Sequence, residues 1–485
     1  MSAQQLADKI AASDEWPPTW EKAWTTVFRH RAFREGNTEA LKEIARFDRS
    51  EYGDRSYFAD PMPEKISTTF ANLIFGEDPA FVAANESDQD QLDQIVQDNG
   101  LASELQVAAD IAVSEGEVWW RILVDPDQAD VPLIRWHSRG SVLPLFRGRT
   151  PVAVAFLSVV EHDENSGRVW RLFEIHGDTE VLNVLFEGTT TSLGPQVDLR
   201  AHPDTQDLAE RWQHGLPVLA GRVINKLGRS PHLGVSEYRG VEDYLLALNE
   251  TATIGQENAR MTLKKRVVIP QRFLNADGSF PAGADVIVAT ETDSDPDKPG
   301  QGLAQIEWSF DAAAFIAYKQ ELETTIAARV GLVPQIMGIG GSTQDGTAAS
   351  GTSIRLRFLT STLAAEGKAR HWDDALPKVL ELCQRLDALP TGADGFGRQW
   401  ADPLTPPTVE RAASLPEDQA EEALRHKQLV EGEIESRQTA VEALHPDWDE
   451  GRVLEELARI DRDVSVPVLD APPFTDHADT QTLPA

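Results

Sequence analysis

Apolar residues recur every three to four positions over the first 115 residues, every second position from about 116 to 190, and every three to four again from 236 onward. The first stretch predicts four helices. One is capped by Ser13 or Asp14 and entered through Pro17 and Pro18, with Trp20, Trp24, Val27 and Phe28 on its inner face. A second covers 38–47, with Leu41, Ile44 and Phe47 inside. A third covers 66–75 and is closed by Gly76, and a fourth runs through 88–115. The alternating stretch predicts strands at 117–124 (EVWWRILV), 131–136, 152–160, 168–176 and 179–186. Gly, Pro, Asp and Asn separate these runs, so they read as a β-meander with turns at Asn165-Ser166-Gly167 and Gly177-Asp178.

The helical period returns at Ser236 and continues to Leu263, with Val241, Leu245, Leu248 and Ala252 as its apolar stripe. A β-rich insert over 266–309 follows: RVVIPQRF and DVIVAT read as a hairpin through Asn275-Ala276-Asp277-Gly278, and LAQIEW comes after an acidic loop. Ser309 or Asp311 then caps a helix to Val330 that carries Phe315, Tyr318, Leu322 and Ile326 on one face and is stopped by Gly331 and Pro334. Residues 335–352 contain five glycines and read as loop. A long helical pattern over 353–387 contains Pro377, where a kink or break is expected because proline lacks the amide donor and crowds the preceding turn. Residues 408–462 form a separate helical segment with 15 acids against 7 bases, and the Pro-rich tail from 463 is expected to be poorly ordered.

Composition narrows the function. With 79 acidic and 45 basic side chains among 485 residues, the net charge is −34, the opposite of a surface that grips nucleic acid by neutralising phosphates. A single cysteine, Cys383, excludes a disulfide framework and a Cys-based zinc site within one chain; it falls among Leu376, Val379, Leu380 and Leu386 and reads as an inert core thiol. No apolar run is long enough to span a membrane, and MSAQQLADKIAASDEW has no apolar core of a secretory signal.

The sequence carries no specific catalytic motif. Glu366-Gly367-Lys368 lacks the upstream glycine of a phosphate-binding loop, and Gly338, Gly340 and Gly341 follow a helix instead of a strand. Asp293, Asp295 and Asp297 alternate like calcium ligands, but Lys298 and Ala304 stand where such a loop needs Gly and Glu. His137, His176, His202 and His371 show no metal spacing. The chain is therefore expected to be no enzyme and to need no cofactor, the alternative being an acidic α+β hydrolase of phage or bacterial type.

One pattern stands out. Asp243, Glu250 and Glu257 recur every seven residues and so share a helix face with about 20° of drift per step, while Lys264-Lys265-Arg266 closes the helix. Two helices of about 20–28 residues, roughly 30–40 Å long at 1.5 Å per residue, bracket the β insert.

Taken in order, ISTTFANLIFGEDP (66–79), EVWWRILVD (117–125) with IRWHSRGSVLPLFR (134–147), GRSPHLGVSEYRGVEDYLLALNETATIGQENAR (228–260) and YKQELETTIAARVGLVPQIMGIGGSTQDGTAASGTSIRLRF (318–358) resemble the portal proteins of tailed double-stranded DNA bacteriophages, in particular siphovirus portals of actinobacterial phages. The resemblance covers most of 50–390 and implies an α+β portal fold. In it, 1–235 is the first part of the wing, 236–265 a stem helix, 266–309 the clip, 310–331 the second stem helix and 332–352 the tunnel loop. Residues 353–407 are then a long kinked helix with the rest of the wing, 408–462 the crown and 463–485 a flexible tail.

The same resemblance implies a ring, usually of twelve subunits, at one vertex of a virion. It makes Asp243, Glu250 and Glu257 candidates for lining the channel, Gly340, Gly341, Ser342, Thr343, Gln344 and Asp345 the tunnel loop, and Asn275, Asp277, Asp293 and Asp295 the adaptor-docking clip. The implied partners are the major capsid protein, the large terminase, a head–tail adaptor and double-stranded DNA passing without sequence recognition, with no membrane. In such a ring the acids have a use: twelve chains at −34 sum to about −408 and repel a duplex that must slide instead of bind.

Overall fold

The structure is a computed structural model that describes residues 3–13, 15–45, 57–228, 232–263, 266–270, 286–289, 304–306, 310–339, 351–390, 395–401, 404–411, 419–445 and 448–465. The chain is α+β and divides into two compact units, residues 1–348 with 355–414, and 349–354 with 415–485.

In the first unit the chain opens with helix α1 (Ala3–Ala11), which the sequence reading did not anticipate. Ala3, Leu6, Ala7 and Ile10 are buried against the large sheet. Burying Leu6 and Ile10 contributes about 1.5–3 kcal/mol each. The expected helix start at Ser13 or Asp14 is displaced: α2 runs from Ala23 to Glu35, because the Glu21 carboxylate accepts a hydrogen bond from the Ala23 amide. Trp24 and Val27 face inward, while Phe28 is largely exposed. Next come α3 (Thr38–Ile44), capped by Asn37, and α4 (Met62–Phe75), then strand β1 (Ala80–Val82).

The single helix expected over 88–115 is two helices, α5 (Gln89–Asp98) and α6 (Leu101–Glu115). Gly100 breaks them in the left-handed region at φ +57°. Buried Asn99 holds the break: its amide donates to the Ile95 and Pro132 carbonyls, and its oxygen accepts from the Ile134 amide.

The expected meander is two sheets. Strands β2 (Glu117–Leu123) and β3 (Leu133–Ser138) belong to a three-stranded antiparallel sheet. Strands β4 (Val142–Arg147), β5 (Thr150–Asp163), β6 (Arg168–His176), β7 (Glu180–Thr189) and β8 (Gln196–Val197) follow in sequence order across a six-stranded sheet, with β9 (Arg211–Gln213) also on β7. Strand β4 was missed because Pro144 interrupts its pattern; it lies at the sheet's edge, where proline is tolerated. Strand β10 (Ala220–Ile224) completes the smaller sheet beside β2.

Helix α7 spans Glu242–Leu263. Strand β11 (Arg266–Pro270) pairs in parallel with β12 (Val286–Ala289) and antiparallel with β13 (Ala304–Ile306), so RVVIP and VIVA do not form the expected hairpin. Helix α8 (Ala312–Val330) is capped by Asp311, whose carboxylate accepts from the Ala314 amide, and it ends at Gly331 in the left-handed region. Its predicted inner face is half right: Leu322 and Ile326 are buried, Phe315 is half-buried and Tyr318 is exposed.

Helix α9 (Gly351–Asp387) runs unbroken through Pro377, about 55 Å at 1.5 Å per residue. Buried Trp372 and Leu376 before the proline, and Val379, Leu380 and Cys383 after it, anchor both halves in one core and offset the lost ladder bond. Strand β14 (Thr408–Glu410) pairs with β1, so the boundary expected at 408 falls inside the first unit. In the second unit α10 (Gln419–Glu431), α11 (Arg437–Leu444) and α12 (Glu450–Ser465) follow one another, and α11 packs on both neighbours.

Candidate functional site

The region that carries the candidate chemistry is the helix pair α7 and α8. Ser236 and Tyr238 fix the approach to α7: the Ser236 hydroxyl donates to the Ser114 carbonyl and the Tyr238 hydroxyl to the Pro63 carbonyl. Val241, Leu245 and Leu248 are then buried as the period predicts, and Ala252 is half-buried. Further along, the inner face becomes polar. The Asn249 side chain accepts from the Asp60 amide at 2.7 Å, and Thr253 accepts from the Phe58 amide at 3.0 Å. These bonds satisfy backbone donors of the extended segment 57–61. Lys319 of α8 reaches the Asp60 carboxylate at 3.0 Å, so one aspartate connects both helices. Gly255 faces the Phe315 ring so closely that an added methyl group would overlap it. Asn249, Thr253 and Gly255 were missed because small polar residues within an apolar stripe look like noise, and Lys319 because one lysine on a largely exposed helix carries no signal.

The face opposite that core carries the three acids. Asp243 and Glu250 are exposed and Glu257 is half-buried, with successive positions about 10 Å apart along the axis. This spacing is a little longer than the ~8 Å over which physiological salt screens a charge. The remaining candidates, Gly340, Gly341, Ser342, Thr343, Gln344 and Asp345 together with Asn275, Asp277, Asp293 and Asp295, lie outside the described residues.

Buried charge elsewhere is paired and ties elements together. Glu117 receives Arg139 at 2.9 Å and Arg222 at 2.6 Å, and Arg139 also meets Glu21 at 2.9 Å. Glu237, fully buried just before α7, receives Lys226 and, at 2.6 Å, Lys368 from the middle of α9. Burial lowers the Lys368 pKa, against the pull of Glu237, and its ammonium lies 4.3 Å over the Phe70 ring. Lys368 is thus a structural cation in a helix.

Between the two sheets, Arg121 and His176 hold Glu174 at 2.7 and 2.6 Å. Burial works to raise the Glu174 pKa, but these partners override it and hold it at about 2. Burial, reinforced by Arg121, lowers His137 to about 3; burial, reinforced by His176, lowers His214 to about 4. Burial pushes the Cys383 thiol up, as befits an inert core group. Among the described residues no three His, Cys, Asp or Glu side chains are grouped to hold a metal, and no helix is long and apolar enough to cross a membrane.

A groove of about 710 Å³ in the first unit has an apolar floor that includes Trp120 and Val218 and a rim with Arg147, Arg149, Lys378 and Asp374.

No family model matches the chain, and no curated protein matches it. Among solved structures, the neck of a native GTA particle computed with C12 symmetry is similar at 12% identity over 90% of this chain and 97% of that one, with a TM-score of 0.46. The neck of an empty GTA particle computed with C6 symmetry gives 12% identity, 91% and 98% coverage and a TM-score of 0.48. The virion of a native gene transfer agent particle gives 12%, 91%, 98% and 0.42. All three scores lie below 0.5, too low to assign a fold by likeness.

Proposed function

We propose that this chain is a portal-type connector of a tailed-phage-like virion, a homo-oligomeric ring through which double-stranded DNA is packaged and ejected. The observation that carries the reading is an order of elements: a long helix, a small three-stranded insert, a second long helix, a glycine-rich stretch and a 37-residue helix. The sequence segments that resemble portals fall in that same order. On this reading α7 and α8 are the stem, 266–309 is the clip that receives an adaptor, and the second unit supplies the crown. Twelve subunits, docking to capsid protein and terminase, and the absence of catalysis belong to the same proposal. The acids of α7 face the lumen and keep the duplex off the wall.

The test is light scattering and negative-stain imaging of the purified protein. The expected species is a ring with a central hole, near 640 kDa for twelve chains of 53.4 kDa, without ATP turnover. A monodisperse monomer that turns over a substrate would overturn the reading and favour the hydrolase.

A further inference from the structure

The smaller sheet has the order β10, β2, β3, so β10 is an outer strand. Its ladder decides which backbone groups face outward. The Leu219 carbonyl accepts from the Ile122 amide and the Asn225 amide donates to the Gly116 carbonyl, so the period of two assigns Gly221 and Val223 to β2 as well. Ala220 and Ile224 turn amide and carbonyl to the open side, where nothing among the described residues bonds them. Such an edge is a template for a further strand.

The layers above and below the sheet continue past this edge. Trp119 and Ala220 pack on Val142, Val154 and Phe156 of the large sheet, while Val118 and Val223 share the core that holds Trp372 and Leu376 of α9. The groove beside β10 has Arg149, Thr150 and Val152 of the large sheet on one wall and Asp374, Ala375 and Lys378 of α9 on the other. It is a slot in the plane of the sheet, covered on both faces. Trp120 lies in its floor over Gly221, and its buried indole nitrogen has no hydrogen-bond partner. A strand carbonyl in the slot would relieve that unmet donor.

The slot also selects by charge. Arg147, Arg149 and Lys378 are exposed along it and make no ion pair among the described residues; Asp178 and Asp374 offset two of the three. One positive charge is left in excess, in a chain whose net charge is −34. The segment after α12, 466–485, carries three aspartates and no lysine or arginine, and it opens with Val466-Pro467-Val468-Leu469-Asp470. A continuous apolar run suits a strand covered on both faces. Proline suits an outermost strand, where alternate amides point away from the sheet.

We propose that residues 466–470 of a second copy of this chain dock in the slot as a fourth strand on β10. The contact joins unlike surfaces, the kind that closes a ring when its rotation divides a full turn. The proposal deepens the ring reading, and it rests on that reading for the choice of a second copy alone.

Cross-linking between two tagged forms of the full chain tests it. One form carries Thr150→Cys on the sheet wall; the other carries a cysteine at one position of 466–471, moved along in turn. Native Cys383 is buried and gives little background. The two forms are co-expressed, so a band with both tags reports a link between copies. A disulfide needs Cα atoms within about 7 Å, and a strand turns alternate side chains to opposite walls. Mild oxidation is therefore expected to give the mixed band strongly at every second tail position and weakly between. Arg147→Glu with Arg149→Glu is expected to cut its yield about tenfold, and Asp470→Lys in the other form to recover part of that loss. Circular dichroism checks that each variant folds.

Ring-sized particles that give no mixed band from any tail position, or equal bands from all of them, would overturn the docking and leave the ring standing. A link that forms only within one chain would overturn docking to a second copy. Wild-type protein that remains a monomer at all concentrations would overturn both readings.

Discussion

His137 illustrates how a single residue here is governed by what surrounds it. It stands in β3 against the Phe156 ring, and Arg121, Arg135, Glu174 and His176 are the charged or titratable groups around it. Its folded pKa of about 3 lies below the ordinary value near 6.5, as does the value of about 4 for His214. The sign follows: below pH 6.5 the unfolded chain binds protons that the folded chain refuses. Stability from these histidines is complete above pH 6.5 and declines as the pH falls towards 4 and 3. The loss is on the order of 2 kcal/mol between pH 6.5 and 4.5 for His137. Glu174, held at about 2, loses its share only at still lower pH, below its ordinary range near 4.5. His137→Phe should flatten the melting-temperature profile between pH 6.5 and 4.5, and equal slopes for variant and wild type would refute this account.

At the scale of elements, the meeting of α7 and α8 depends on one missing side chain. Gly255 lets the Phe315 ring lie against the α7 backbone, and Gly255→Val would force the ring or the helix outward. Overpacking of this kind costs about 1–3 kcal/mol. The expected result is a lowered melting temperature and loss of protection in amide exchange across 57–61, where Asn249 and Thr253 hold the backbone. Unchanged exchange there would show that the helices meet elsewhere.

The same pair shows what could be read without coordinates. Val241, Leu245 and Leu248 were legible, because a 3.6-residue period fixes which side is buried. The stop at Gly331 was legible and the cap was narrowed to Ser309 or Asp311, because each meets a local backbone need; the structure has Asp311. The break at Asn99 and Gly100 was not, since buried partners in another element decide it. Nor was the split of the alternating stretch into two sheets, since a period of two says nothing about which strands pair. For the acids, the sequence gives a shared face but not what that face meets.

At the scale of the whole molecule, charge is the leading feature. Asp243→Lys, Glu250→Lys and Glu257→Lys together change six charges per chain, or 72 in a ring of twelve. Substitutions at exposed Asp243 and Glu250 cost little stability, within about 0.5 kcal/mol each, and half-buried Glu257 is the costlier of the three, so assembly should persist. Packaging and ejection of DNA should slow and become salt-sensitive, because each new lysine adds a phosphate contact that salt weakens. Packaged length and ejection rate at two salt concentrations measure this; unchanged values with intact rings would place the acids off the DNA path.

The pairing of β1 with β14 has a consequence for synthesis. Ala80 lies opposite Glu410, and close by Gln91 donates to the Gln399 carbonyl and Arg411 grips Asp373 with two hydrogen bonds. At about 5–20 residues per second, the roughly 330 residues between β1 and β14 take a ribosome about 16–65 s. Through that time the N-terminal strand waits with an open edge, and the core it borders stays unfinished. A nascent chain cut short before 408 therefore lacks the last piece of its first unit as well as residues 415–485 of its second. The first unit in this way closes only once residues 408–410 have been made.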